Sequence, residues 1–211
     1  MSEETRSPAR RSPDPISFTD DVLLDPDSAN PNLLLSSDEK RLRCGLERRD
    51  VSPCPQRFDG WWCAVGREGY ASGRHYWEVE VGERDWRLGV VKASAVRQGF
   101  RPLNAETGYL TLRLERGSDL KALTVPPTLL PKHLAPRKVG VYLDYEEGQL
   151  SFYDVEKLVG HLPGDRRRPR HAPLHHPAGD LTRHHGARLR VPRGHHHAIC
   201  GIGSFSQRVR Q

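Results

Sequence analysis

The chain has 211 residues, of which 36% are hydrophobic, which suffices for one globular domain with a tail but is tight for two. No run approaches the roughly 20 apolar residues of a membrane-spanning helix, and the N-terminus has no apolar secretory signal, so we expect a cytoplasmic protein without a membrane span. The four cysteines are widely spaced and form no CxxC pair, so we expect free thiols and no metal site.

The net charge of +6 is concentrated at one end of the chain. Residues 1–160 carry 23 Lys and Arg against 25 Asp and Glu, whereas residues 161–211 carry 10 Arg against 2 Asp, together with nine of the eleven histidines. The body of the chain is therefore close to neutral, and its charge indicates no nucleic-acid footprint on the folded part.

The predicted elements of the body are short strands. Residues 1–15 have no apolar periodicity and predict a disordered lead-in. From Ile16 onward, turn signals separate segments in which apolar and polar residues alternate, as in strands with one buried face. These segments are 75–81, 86–91, 107–116, 120–125, 139–145 and 149–154. Their length and the spacing of the turns indicate an all-β sandwich or barrel.

The alternating pattern stops after about Lys157. Residues 161–211 contain five prolines, runs of arginine and histidine, and Phe205 as their one aromatic residue. Only the stretch from Ala198 to Phe205 has the composition of a strand. This part of the chain is therefore predicted to be a basic, disordered tail or to be read out of frame.

Three short motifs of the body resemble the signature of a known family. They are Leu24-Asp25-Pro26, Trp77-Glu78-Val79-Glu80 and Leu143-Asp144-Tyr145-Glu146. Their order and spacing are similar to those of the PRY-SPRY (B30.2) domain, and the resemblance covers residues 16–157. It implies a bent antiparallel β-sandwich in which a PRY part packs on a SPRY part.

The same resemblance implies a function. It indicates a non-catalytic protein-interaction module, as found in tripartite-motif ubiquitin ligases, butyrophilin-type receptors and related immune proteins. In that family, loops at one end of the sandwich bind a protein, a peptide or a small ligand. We therefore expect a protein or peptide partner, in innate-immune or ubiquitin-pathway recognition.

The resemblance ends after the sequence SFYD. The family continues there with an aromatic-rich stretch that closes the sheets, whereas this chain continues with LVGHLPGDRRRPRHAP. We therefore predict a PRY-SPRY domain over residues 16–160 that lacks its last strands, followed by the tail at 161–211. Because missing strands leave apolar faces and sheet edges uncovered, the domain is predicted to be marginally stable.

Most motif residues are predicted to have structural roles. Trp77 is expected to anchor the core, because it alternates with apolar residues on one face of its strand. Glu78 and Glu80 are expected on the opposite, wet face, and Asp25 and Asp144 are expected to accept backbone amides in turns. A catalytic carboxylate pair is the alternative, but nothing in the sequence brings two carboxylates together, so we expect no enzyme and no cofactor.

The resemblance also indicates where a ligand would bind. The segment 84–87 and the wet face of 109–115 match regions of ligand contact in the family, and the loop 93–104 is a further candidate. The candidate ligand-binding residues are Trp86, Arg87, Arg97, Arg101, Tyr109, Arg113 and Glu115. Arg87, Arg113 and Glu115 are expected to be exposed, with an ordinary solvated surface as the alternative. Because Trp86 alternates with Leu88, a buried position in the core is the alternative for Trp86.

The tail suggests a second class of function. Its arginine runs indicate association with nucleic acid or another anionic surface, without specific recognition because only Phe205 is available for stacking. The histidines at 195–197 are typical of adventitious metal binding rather than of a built site. The salt dependence of binding, with and without residues 161–211, discriminates this alternative from an interaction module.

Overall fold

The computed structural model of the chain describes residues 19–131, residues 136–156 and the backbone of two later segments, 186–190 and 197–204. The described residues form twelve β-strands, and every pairing between them is antiparallel. The predicted lead-in at 1–15 and most of the predicted tail lie outside the described residues.

The strands are β1 (Leu33–Leu35), β2 (Leu42–Cys44), β3 (Val65–Tyr70), β4 (Arg74–Glu80), β5 (Trp86–Lys92), β6 (Tyr109–Glu115), β7 (Asp119–Ala122), β8 (Thr128–Leu129), β9 (Lys138–Asp144), β10 (Gln149–Asp154), β11 (Gly186–Arg190) and β12 (His197–Ser204).

The strands form two main sheets around one core. A four-stranded sheet has the order β11-β10-β9-β4, a six-stranded sheet has the order β3-β12-β5-β6-β7-β8, and β1 and β2 form a separate pair. Both main sheets contribute buried side chains to the same core, such as Val141 and Phe152 from one and Leu88 and Leu112 from the other. This arrangement confirms the predicted all-β antiparallel sandwich.

Two strands correct the prediction that the sandwich lacks its last strands. β11 pairs with β10, with Ala187 opposite Phe152, and β12 lies between β3 and β5, with Cys200 opposite Gly89. The sequence of β12, HAICGIGS, has no Asp, Glu, Lys or Arg, which suits a strand that is hydrogen-bonded on both sides. β12 coincides with the stretch from Ala198 to Phe205, whose composition suits a strand, whereas the arginines in and around β11 make composition indicate disorder there.

The first described residues cover the open edges of both main sheets. At the β4 edge, Asp20 donates its backbone N–H to the Tyr76 carbonyl at 2.7 Å and accepts the Tyr76 N–H on its carboxylate at 2.8 Å. At the β3 edge, Leu24 forms a β-bridge with Gly66, flanked by further backbone bonds. The segment 20–25 therefore pairs strand edges that would otherwise expose unpaired N–H and C=O groups.

Strand β4 follows the predicted alternation with one exception. Trp77 is 2% exposed in the main core, whereas Tyr76, which the alternation places on the wet face, is buried as well. The Tyr76 ring lies over Gly140 of β9, where an added methyl group would come 2.6 Å from the Tyr76 hydroxyl oxygen. The hydroxyl donates to Glu78 at 2.9 Å. The absence of a side chain at Gly140 thus makes room for a second aromatic ring.

The first and third sequence motifs hold turns. Asp25 accepts the backbone N–H of Asp27 at 2.9 Å, and Asp144 accepts that of Glu147 at 3.0 Å. Glu146 accepts the N–H of Gly73, so the β9–β10 turn is bonded to the β3–β4 turn. Both aspartates therefore make the turn hydrogen bonds expected from the sequence.

Candidate functional site

Strand β5 is buried on both faces. On the inner face, Trp86 is 2% exposed and packs in the main core with Leu88, so it is a core residue and not a surface contact for a ligand. On the outer face, Arg87 is also 2% exposed, and the prediction that it lies at the surface is wrong. A side chain on either face of β5 is therefore covered by protein.

The loop 93–104 and the segment 55–63 cover the outer face of β5. Arg87 Nη1 donates to the Leu103 carbonyl at 3.0 Å, and its guanidinium lies 5.8 Å from the centre of the Trp61 ring. Around it lies a second apolar cluster, formed by Phe58, Cys63, Val65, Val91, Leu103 and Tyr109. The charge of Arg87 is thus buried within a hydrogen-bonded and aromatic setting.

Tyr109 belongs to this second cluster and not to the surface. It is 1% exposed, its ring lies 6.5 Å from that of Phe58, and its hydroxyl donates to the Val96 carbonyl at 2.8 Å. The prediction that it contacts a ligand from the wet face of β6 is therefore corrected. Its role in the structure is to fasten the loop 93–104 to the sheet.

Arg113 and Glu115 remain near the surface but are half-buried and paired. Glu115 accepts Arg113 Nη2 at 2.8 Å and Lys121 Nζ at 2.6 Å. The hydrogen bond from Lys121 is the main cause that holds the pKa of the Glu115 carboxyl below its usual range. The two residues predicted to be exposed thus form, with Lys121, a compact charge network on the outer face.

The loop 93–104 is held against the segment 55–61 by several hydrogen bonds. The Asp59 carboxylate accepts the Gly99 N–H at 2.6 Å, and the Trp61 indole donates to the Arg101 carbonyl at 2.7 Å. Backbones also touch, because a methyl group added at Gly60 would come 2.5 Å from the Gly99 carbonyl oxygen. These contacts fix the loop in one position on the sandwich.

Apolar side chains nevertheless project from this fixed loop into solvent. Phe100 is 70% exposed and Val96 is 46% exposed. Phe100 packs against the half-buried Trp61 in a T-shaped arrangement, with the ring centres 5.8 Å apart. Arg97 and Arg101 come from the same loop, and Arg101 is exposed. We call this set the Phe100 surface, and it comprises Trp61, Val96, Arg97, Phe100 and Arg101.

The sequence-based candidates are only partly brought together. Arg97 and Arg101 lie on the Phe100 surface, Arg87 lies beneath it, Arg113 and Glu115 lie farther along the sheet, and Trp86 is on the opposite face. Phe100 and Trp61 were not among the candidate residues. An aromatic residue between Gly99 and Arg101, outside any alternating segment, is the signal that would indicate Phe100.

The acidic residues of the motifs have structural partners. Glu78 receives Lys138 Nζ at 2.5 Å, and Asp144 receives Arg74 Nε at 2.8 Å. Partial burial raises the pKa of Glu78, but hydrogen bonds from Lys138 and Tyr76 outweigh burial and leave that pKa below its usual range. Both ion pairs link β4 to β9.

Two features are absent from the described part of the chain. No helix there is long and apolar enough to cross a membrane. The same residues contain no group of three or more His, Cys, Asp or Glu side chains placed to hold a metal ion. The side chains of the histidine and arginine runs in the tail lie outside the described residues.

Sequence comparisons identify relatives of this chain. Family models match residues 22–70, as the SPRY-associated domain (PRY), and residues 74–168, as the SPRY domain. Butyrophilin subfamily 1 member A1 of Bos taurus is 47% identical over 136 residues, which are 64% of this chain and 26% of that protein. E3 ubiquitin-protein ligase TRIM58 of Mus musculus is 44% identical over 139 residues, 65% of this chain and 29% of that protein. The chain thus spans less than a third of these relatives.

A solved structure shares the fold. The crystal structure of the TRIM65 PSpry domain matches with a TM-score of 0.65 and 19% sequence identity, covering 95% of this chain and 100% of that one. At this level of identity the match supports the architecture alone.

Proposed function

This chain belongs to the PRY-SPRY (B30.2) family, and we propose that it acts as a non-catalytic module that binds a protein or peptide through the Phe100 surface. The observation that carries this proposal is the 70% exposure of Phe100 on a loop fixed by hydrogen bonds. Exposed aromatic and arginine side chains dominate the binding energy of many protein interfaces. A loop that is already ordered loses less conformational entropy on binding.

We extend the proposal to the setting of that interaction. The likeness to TRIM58, named as an E3 ubiquitin-protein ligase, supports recognition in the ubiquitin pathway. We also propose a part in innate-immune recognition, which is what the resemblance to PRY-SPRY domains of immune proteins implies. We propose a cytoplasmic location for the domain, in keeping with the proposed part in ubiquitin-pathway recognition.

The test compares capture of partners by the full chain and by two serine variants. Phe100→Ser removes the exposed ring, and Leu129→Ser removes a side chain of similar exposure, 66%, from β8 at the far edge of the same sheet. Each tagged protein is used to capture partners from a cell extract, followed by quantitative mass spectrometry and a binding assay with the recovered partner. We expect Phe100→Ser to weaken binding at least about tenfold, with Leu129→Ser equal to wild type.

Equal capture by the wild type and Phe100→Ser would contradict the proposed site. Thermal unfolding of both variants shows whether either change disturbs the fold. Because both positions are exposed, we expect unchanged unfolding midpoints.

A further inference from the structure

The charge around Phe100 is asymmetric, and this bears on the chemistry of the ligand. Residues 93–104 include Arg97 and Arg101 but no Asp or Glu. In the neighbouring segment, the carboxylate of Asp59 is bonded to the Gly99 N–H. Two guanidinium groups against the one exposed carboxylate of Asp59 give the surface around the ring a net positive charge, although residues 1–160 as a whole are close to neutral.

Both arginines are positioned by contacts within the protein. Arg97 Nη1 donates to the Gln56 carbonyl at 3.0 Å, and its guanidinium lies 5.8 Å from the centre of the Phe58 ring. The backbone carbonyl of Arg101 accepts the Trp61 indole, which fixes the point from which the exposed side chain extends. Arg97 and Arg101 thus extend from the same preordered loop as Phe100, three residues before it and one after it. A guanidinium group binds a carboxylate through paired hydrogen bonds where its N–H groups are accessible.

Resting on the proposed function, we infer that the ligand is an acidic peptide segment with an apolar or aromatic side chain between its carboxylates. The apolar side chain packs on Phe100 and Val96, and the carboxylates bind Arg97 and Arg101. A single-stranded nucleic acid also offers anions and stacking bases. The observations favour the peptide, because two arginines match the few carboxylates of a short acidic segment, whereas the near-neutral body offers a long polyanion no extended basic surface.

The experiment selects ligands without assuming a sequence. A phage library of random 12-residue peptides is selected on the full chain, and the enriched peptides are compared with the input library for net charge and aromatic content. Selected peptides are then titrated by fluorescence polarisation against wild type, Phe100→Ser, Arg101→Glu and Arg43→Glu. Arg43→Glu is the matched control, because it reverses an exposed charge on β2, away from the loop.

We expect enriched peptides with a net negative charge and at least one large apolar residue. Arg101→Glu should weaken their binding about tenfold or more, because a like charge then faces the carboxylates. Arg43→Glu should leave the affinity unchanged, and added salt should weaken binding to the wild type. Arg97→Glu also loses the hydrogen bond to the Gln56 carbonyl, so its peptide affinity is interpreted together with its unfolding midpoint.

The outcomes separate this inference from the function on which it rests. Peptides whose binding requires Phe100 but that carry no net negative charge would contradict the inference of an acidic ligand. They would still support the Phe100 surface as the binding site. Peptides that bind Phe100→Ser as well as wild type overturn both. Failure to enrich any peptide overturns the inference. So does tighter, Phe100-dependent binding of a mixed-sequence single-stranded 12-nucleotide DNA, because that result assigns the surface to nucleic acid.

Discussion

Strands β4 and β5 have similar alternating sequences, yet they are buried differently. β4 lies at the edge of its sheet and exposes its ends, whereas β5 lies between β12 and β6 and is buried at every position except Lys92. The difference comes from the loop 93–104 and the segment 55–63, which cover the outer face of β5. Alternation in a strand therefore reports which face meets the opposite sheet, but does not report what covers the other face.

The largest effect is expected from Trp86→Ala, which tests the inner face of β5. Because Trp86 is 2% exposed in the main core, the substitution leaves a large cavity, and we expect the free energy of unfolding to fall by about 3–5 kcal/mol. Urea denaturation measures this change. A loss below about 1 kcal/mol would place Trp86 outside the packed core.

The outer face of β5 is tested by Arg87→Ala. The substitution removes a buried guanidinium that bonds the Leu103 carbonyl and contacts Trp61, and we expect a loss of about 1.5–3 kcal/mol. Arg101→Ala, at an exposed position of the covering loop, should change stability by less than about 0.5 kcal/mol. Similar values for the two variants would show that the outer face of β5 is not covered.

The contact between the loop 93–104 and the segment 55–61 is tested by Gly60→Ala. The new methyl group would meet the Gly99 backbone carbonyl at 2.5 Å, so the loop must shift, and we expect a cost of about 1–3 kcal/mol together with weaker ligand binding at the Phe100 surface. Gly140→Ala, on the outer face of the four-stranded sheet, is the comparison. There the methyl meets the far end of the Tyr76 side chain, which moves more easily than a backbone, so a cost larger than that of Gly60→Ala would contradict this view.

The smallest effect is expected from the charge network on β6. The native pKa of Glu115 is lowered from 4.5, so its contribution to stability is complete above that value and is lost as the pH falls through the native pKa. The free energy of unfolding of wild type should exceed that of Glu115→Gln by less than about 1 kcal/mol at neutral pH. The two values should converge in acid. Denaturant titrations at several pH values measure the difference in unfolding free energy between the two proteins. A difference that grows as the pH falls would contradict the lowered pKa of Glu115.

The sequence predicts the fold better than the site, for physical reasons. Alternation and turn signals identify the strands and the burial of Trp77, because these depend on local pattern. The burial of Arg87 and Tyr109 depends on the loop that joins β5 to β6 and on its packing against the distant segment 55–63, and no alternating pattern encodes that packing. Phe100 escapes notice for the opposite reason, since an aromatic residue exposed on a loop departs from the usual rule of burial.

The same limit explains β11, whereas β12 coincides with the stretch whose composition suits a strand, Ala198 to Phe205. β11 pairs with β10 alone, and β12 lies between β3 and β5. A strand that fills a gap between two existing strands gains backbone hydrogen bonds from both neighbours, which do not depend on its own side chains. Its surroundings in the sequence, rich in arginine and histidine, therefore say little about those few residues. Composition describes a segment on average, and a short strand is smaller than the segment over which the average is taken.

The position of β12 has a consequence for the order in which the domain is assembled. Its neighbours in the six-stranded sheet, β3 and β5, precede it by more than 100 residues in the chain, with Cys200 opposite both Val65 and Gly89. Until β12 arrives, β3 has no partner that joins it to β5. Because contacts between such distant parts of a chain require closure of long loops, we expect this sheet to be completed late and the domain to fold slowly.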